Sequence, residues 1–121
     1  MNEDQLQMAA MFWIRISYPK AVSFHVANER KTSPMRGAKL KKMGVLAGVP
    51  DIHILHPNGE YCGLFIELKT PKGRLTQSQK NVIERLESSG YQCAVCRSVD
   101  DVIDVVTNYF NKQSKFKNGK D

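Results

Sequence analysis

The stretch "GVPDIHILHPNGEYCGLFIELKT", Gly48 to Thr70, holds two apolar runs either side of the turn residues Pro57, Asn58 and Gly59. That pattern commits the chain to a fold built on a β-hairpin. The first run opens on a carboxylate, Asp51, and the second ends on Glu67 and Lys69. If the hairpin is centred on Gly59, positions equidistant from it face each other. Asp51 then lies opposite Glu67 with β-carbons about 5 Å apart, and Lys69 projects from the same face, two residues beyond Glu67. Ile52, Ile54, Leu64, Ile66 and Leu68 share the other face and read as core. A slip of one residue would instead set Asp51 across from Ile66.

The rest of the chain supplies the other layers. Leu6, Met8, Ala9, Phe12, Trp13 and Ile16 recur at near-helical spacing between Asp4 and Ile16, a helix packed by one face. Val22, Phe24 and Val26 alternate with Ser23 and His25 as a strand. From Asn28 to Gly44 the periodicity stops. Arg30, Lys31, Arg36, Lys39, Lys41 and Lys42 stand there against Glu29 alone, so the segment reads as a basic loop broken by Pro34 and Gly37, suited to phosphate contacts. Thr76 and Gln79 form a capping box for a helix buried through Val82, Ile83 and Leu86, and Gly90 lies where the chain leaves it. "YQCAVCR" is a short strand. Ser98 caps a last helix that faces the core through Val99, Val102, Ile103, Val106 and Phe110.

The strand, helix, strand order near the end makes Leu64 to Lys69 and Gln92 to Arg97 parallel neighbours, whereas the hairpin is antiparallel. The fold class is therefore α/β with a mixed sheet flanked by helices. At 121 residues the chain fits one domain, assigned to 1–110, with a polar, basic and frayed tail at 111–121. No run of about 18 apolar residues exists to span a membrane. The acidic start "MNEDQLQMAAMFW" differs from the basic start of a secretory signal, and three cysteines fit reduced thiols, so a cytoplasmic location is expected. A formal charge of +6 favours polyanionic partners.

Two carboxylates about 5 Å apart repel by roughly 3 kcal/mol at an effective dielectric near 20. Lys69 offsets part of that, but a divalent cation does so better. Mg²⁺ suits two carboxylates, the Leu68 carbonyl, waters and phosphate oxygens. Such a cation would lower the pKa of a water and neutralise charge growing on phosphorus, with Lys69 holding that water and the transition state. Lys69 itself is a poor free base, because neighbouring carboxylates favour its charged form. The alternative is a structural ion pair between Lys69 and one carboxylate. Cys93 and Cys96 point to opposite faces of their strand and lack a second pair, which fits core thiols better than zinc. His25, His53 and His56 lack ligand spacing.

"GVPD", "IELK", "GRLTQSQ" and "GY" together resemble the VRR-NUC branch of the PD-(D/E)XK nucleases, from the first helix to about Phe110. The resemblance implies a restriction-endonuclease-like core of order αβββαβ plus a C-terminal helix. It implies a nuclease dependent on Mg²⁺, with Mn²⁺ as substitute, in which Asp51, Glu67 and the Leu68 carbonyl are ligands and Lys69 is the catalytic lysine. Gln79 matches the family's glutamine near the catalytic group. Glu3 matches the acid that the family places on the first helix near the metal, with Asp4 adjacent to it. Asn28 and Glu29 match an Asn-Glu pair found after the first strand, although Ala27 and Arg30 depart from its usual flanks. Standalone phage or bacterial members, which the chain is most similar to, are homodimers that cut four-way (Holliday) junctions in DNA. The alternative function is a non-catalytic DNA-binding or structural domain that keeps the nuclease fold.

Overall fold

A computed structural model describes residues 1–27 and 33–119, with side chains to residue 112. Helix α1 (Glu3–Ser17) begins at Asn2, whose side chain accepts from the Gln5 N–H at 2.8 Å while the Gln5 side chain accepts from the Asn2 N–H at 3.0 Å. This reciprocal capping box places the helix start one residue before the expected Asp4. Strand β1 (Val22–His25) follows, then α2 (Pro34–Lys42), β2 (Ile52–Leu55), β3 (Leu64–Leu68), α3 (Gln77–Ser88), β4 (Gln92–Cys96) and α4 (Val99–Gly119).

The four strands lie in the order β1-β2-β3-β4. β1 with β2 and β2 with β3 are antiparallel, and β3 with β4 is parallel, which makes the sheet mixed as the sequence indicates. Ile52 pairs with Ile66 and Ile54 with Leu64, the register of a hairpin centred on Gly59. Gly59 itself has φ +88, a backbone region open to glycine at no steric cost. Asn58 holds this turn from inside the protein. It is fully buried, accepts from the N–H groups of Glu60 and Tyr61 at 2.9 and 2.7 Å, and donates to the Tyr109 carbonyl at 3.0 Å.

One face of the sheet forms the main core. Ile52, Ile54, Leu64, Ile66, Leu68 and Cys96 pack with Leu6, Ala10, Met11 and Ile14 of α1 and Val102, Val106 and Tyr109 of α4. The expected α1 stripe is corrected here. Leu6 is buried, but Met8, Phe12 and Ile16 are 64%, 70% and 63% exposed, and Ala10, Met11 and Ile14 occupy the core side instead. α1 carries two apolar stripes at helical spacing, and the one containing small Ala10 lies on the sheet. The other face carries Val22, Phe24, His53, Leu55, Phe65, Glu67 and Cys93. α3 covers its β4 side, where the Cys93 thiol approaches the Ile83 carbonyl at 3.9 Å.

The basic segment also departs from expectation. Pro34 to Lys42 is a helix rather than loop, so Arg36, Lys39, Lys41 and Lys42 are presented on α2, and Arg30, Lys31, Asn28 and Glu29 lie outside the described residues. Ser33 caps it by accepting from the Arg36 N–H at 3.1 Å, and Pro34 sits at its first turn. Proline there is a helix starter, because its missing N–H has no partner to lose. Lys39, Lys41 and Lys42 occupy the last turn, where cations complement the helix dipole. No α2 residue is buried. Most of the segment 111–121, assigned to a tail, falls outside the described side chains.

Candidate active site

The hairpin register brings the two carboxylates together. Asp51 lies just before β2 and is held from both ends: its carbonyl accepts from the Val26 N–H at 3.1 Å and from His25 Nδ1 at 2.8 Å, and its Oδ2 accepts from the Leu68 N–H at 2.8 Å. A carbonyl can only accept, so His25 carries its proton on Nδ1. The Asp51 side chain thus extends the β2–β3 ladder by one bond beyond its last backbone pair. His53 Nε2 donates to the Pro50 carbonyl at 3.0 Å, steadying the same turn from the other side. Burial holds the His53 imidazole below its ordinary pKa, with the Pro50 hydrogen bond opposing.

Glu67 is the second carboxylate and is 2% exposed. Its Oε2 accepts from Gln79 Nε2 at 3.1 Å and lies 3.8 Å from Lys69 Nζ, while its Oε1 is buried with no hydrogen-bond partner. Burial first, then the neighbouring Asp51 carboxylate, raise the Glu67 carboxyl from 4.5 to about 8. Lys69 pulls the other way and does not compensate. Glu3, at the first turn of α1, adds a smaller upward push, which places it within electrostatic reach of Glu67.

Two other elements fix the site. α3 delivers Gln79 at its third position, and the approach loop to Asp51 packs directly on that helix turn. Gly48 has φ +89, and a β-carbon there would lie 2.5 Å from the Ser78 carbonyl carbon and oxygen and 2.8 Å from the Gln79 nitrogen. Only glycine allows this approach. Arg97, a residue that sequence reasoning missed, donates from Nη1 to the carbonyls of Thr70 at 2.9 Å and Gly73 at 2.6 Å, clasping the turn after Lys69. A cavity of about 350 Å³ opens beside it, lined by Glu3, Thr70, Arg97 and Ser98 among others.

Asp51, Glu67, Lys69 and Gln79 are therefore brought together, with Leu68 between them and Glu3 nearby. Among the described residues, no set of three or more His, Cys, Asp or Glu side chains comes close enough to hold a metal as a group. The acidic donor set is the Asp51–Glu67 pair. This pair fits a hard divalent cation: two buried carboxyls from adjacent strands, one with an unpartnered oxygen, beside a backbone that can contribute a carbonyl. Cys96 lies buried in the core and Cys93 on the α3 side, and burial raises both thiols to about 12. Cys93 and Cys96 are thus packed thiols that form no zinc site among the described residues, while Cys62 is exposed.

A mixed sheet with helices on both faces and paired acids with a lysine at one end of its central hairpin define the restriction-endonuclease-like class of nuclease folds. The VRR-NUC domain family model matches residues 2–100, and the chain belongs to that family, a nuclease-fold domain whose members are generally structure-selective DNA nucleases. It is similar to a solved structure described as a VRR_NUC domain protein, with 32% identity, 92% of this chain and 89% of that one covered, and a TM-score of 0.77. A second, described as a VRR_NUC domain, shares the fold at 19% identity, with 88% and 96% covered and a TM-score of 0.58. No curated protein matches the chain. No helix among the described residues is long and apolar enough to cross a membrane.

Proposed function

We propose that this chain is a Mg²⁺-dependent endonuclease that hydrolyses phosphodiester bonds of branched DNA, four-way junctions included, and acts as a homodimer. The observation that carries the reading is the burial of Asp51 and Glu67 side by side with one Glu67 oxygen unpartnered and Lys69 Nζ at 3.8 Å. Without a cation the two buried carboxyls avoid like-charge repulsion by keeping Glu67 protonated, and a bound divalent cation would let both ionise. Asp51, Glu67 and the Leu68 carbonyl would hold Mg²⁺, or Mn²⁺ in its place. When bound, the cation supplies a lowered water pKa and neutralises charge on the scissile phosphate.

The protein's own residues do the rest. Lys69 is buried and cannot swing into solvent, so its ammonium is presented to the attacking water and to the phosphate oxygens. Gln79 holds Glu67 through Oε2, which leaves Oε1 free to hold a cation. α2 presents Lys39, Lys41 and Lys42 to the flanking phosphates.

For the homodimer, α1 offers a self-complementary surface. Asp4, Met8, Phe12 and Ile16 are exposed and four residues apart on this helix. Two copies crossing antiparallel at Phe12 would set Met8 against Ile16 in a two-fold contact. The test pairs cleavage of labelled junctions, flaps and duplexes in Mg²⁺ or chelator with Lys69→Ala and with the solution mass. Lys69→Ala is expected to abolish incision and keep junction binding; undiminished cutting would refute its role. A monomeric mass for the wild type would refute the dimer.

A further inference from the structure

Among the described residues, the sheet face that carries Glu67 is only half covered. α3 shields Cys93 and the β4 side, but the β1–β2 side lies open, with Val22 58% and Leu55 47% exposed and Phe24 and His53 half-buried. The register orders this face into rungs. Val22 pairs with Leu55, Phe24 pairs with His53, and His53 pairs with Phe65. One rung on, two residues further along each strand, come Asp51 and Glu67. Rungs on one face are separated by about 7 Å.

Three rings therefore stand in a row beside the carboxylates. Phe24 and His53 are 5.2 Å apart by centroids and inclined at 51°, and His53 and Phe65 are 4.6 Å apart at 40°. Phe65 is closed off on its far side by Tyr91, stacked at 5.1 Å and 15°. The inclined rings of Phe24 and His53 do not cover each other's faces. His53 is held in place by its hydrogen bond to the Pro50 carbonyl.

We propose that Phe24 and His53 form a stacking platform for an unpaired base of the DNA strand engaged at Asp51 and Glu67, one nucleotide from the scissile phosphate. The inference rests on the nuclease reading and deepens it, making unpaired nucleotides beside the cut part of the recognised substrate. A polyanionic occupant suits the charge of the surroundings. α2, whose lysines face solvent and which holds no acidic residue, leads into the loop that Gly48 docks on α3, at the same end of the sheet. Bases stack on aromatic faces with little regard to sequence, while phosphates meet the cations. Val22 and Leu55 extend the floor for the neighbouring sugar and base.

The test measures binding in EDTA, so that nothing is cut, to a labelled single strand, to the duplex of the same sequence, and to single strands carrying 2-aminopurine at each position in turn. Phe24→Ala is expected to weaken single-strand binding roughly 5- to 100-fold, the range for removal of one base stack, and duplex binding less than about 2-fold. Phe24→Leu, which keeps the apolar packing, should lose nearly as much, and Phe24→Tyr should restore it. 2-Aminopurine should be quenched at one or two positions by the wild type and not by Phe24→Ala. Equal affinities for all four proteins, or no quenching anywhere, would overturn the platform. A wild-type dimer that Phe24→Ala converts to monomer would also overturn it, by making the face a contact between copies. Cleavage in Mg²⁺ and Mn²⁺, run alongside, separates the two readings. A wild type that cuts while Phe24 variants bind normally sinks the platform alone, whereas quenching by a protein that cuts nothing keeps the platform and sinks the nuclease.

Discussion

Gln79 engages Glu67 and Thr76 with opposite ends of one amide: Nε2 donates to Glu67 Oε2 at 3.1 Å while Oε1 accepts from the Thr76 N–H at 2.9 Å. The same side chain closes the capping box of α3 and orients the buried carboxylate. Its structural and functional roles are one geometry, since the amide cannot satisfy the helix cap without also pointing its NH₂ at the site.

Gln79→Ala is accordingly expected to lower cleavage more than stability. Thr76 still caps the helix through the residue-79 N–H, so the loss of stability should be about 1 kcal/mol or less. Glu67 Oε2 loses its amide donor, and kcat/KM should fall at least about 10-fold, the order of one charge-assisted hydrogen bond. Thermal melting and single-turnover cleavage measure the two; a fall in activity no larger than the fall in folded fraction would remove Gln79 from the site.

Metal-free stability should depend on pH through Glu67. Its carboxyl is raised from 4.5 to about 8, chiefly by burial, so the folded protein binds that proton more tightly than the unfolded chain does. The stabilisation is complete below pH 4.5 and is lost as pH rises through about 8. Relative to Glu67→Gln, which is neutral throughout, the wild type should lose on the order of a few kcal/mol between about pH 5 and 9. Added Mg²⁺ should reverse the loss and release a proton near pH 7, visible by calorimetry in buffers of different ionisation enthalpy. Urea melts showing a constant difference between the two proteins across that range would contradict the buried, protonated Glu67.

Gly48→Ala should damage the protein far more than Gly44→Ala. Both glycines have positive φ, +89 and +104, but a β-carbon at Gly44 meets nothing within 4 Å, whereas at Gly48 it strikes the α3 backbone at 2.5 Å. Gly44→Ala carries only the left-handed backbone penalty of about 1 kcal/mol. Gly48→Ala adds a collision that must part the Asp51 loop from Gln79. A larger drop in melting temperature and a loss of cleavage even in the cold are expected for Gly48→Ala alone. Equal behaviour of the two variants would show that the close packing is dispensable.

The α2 lysines should set the salt dependence of DNA binding. Lys39→Ala with Lys42→Ala is expected to weaken affinity for all sequences alike. The slope of log K against log salt on duplex should become shallower by up to about 0.9 for each phosphate left unneutralised. Titrations from low to moderate salt measure it. An unchanged slope would mean that these side chains touch no phosphate.

Much of this was legible without coordinates. The Pro57-Asn58-Gly59 turn and the alternation around it dictated the hairpin register: side-chain period two excludes a one-residue slip, which would turn the isoleucines outward, and the turn centred on Gly59 sets Asp51 opposite Glu67. The capping box of α3, the exit at Gly90 and the parallel pairing of β3 with β4 followed from equally local chemistry. The α2 helix was hidden because Pro34 ends helices in most positions and starts one at the first turn; the difference depends on what precedes it.

What the sequence by itself determined, then, was the element order, the hairpin and the residues converging at its charged end, since these depend on near neighbours and strict periodicity. Only the tertiary structure decided which of the two α1 stripes is buried, that Gly48 lets the Asp51 loop touch α3, that Arg97 clasps the turn after Lys69, and that, among the described residues, half the sheet face bearing Glu67 stays open. Each of those depends on contacts between segments distant along the chain, where helical spacing permits several faces and the close packing of layers selects one.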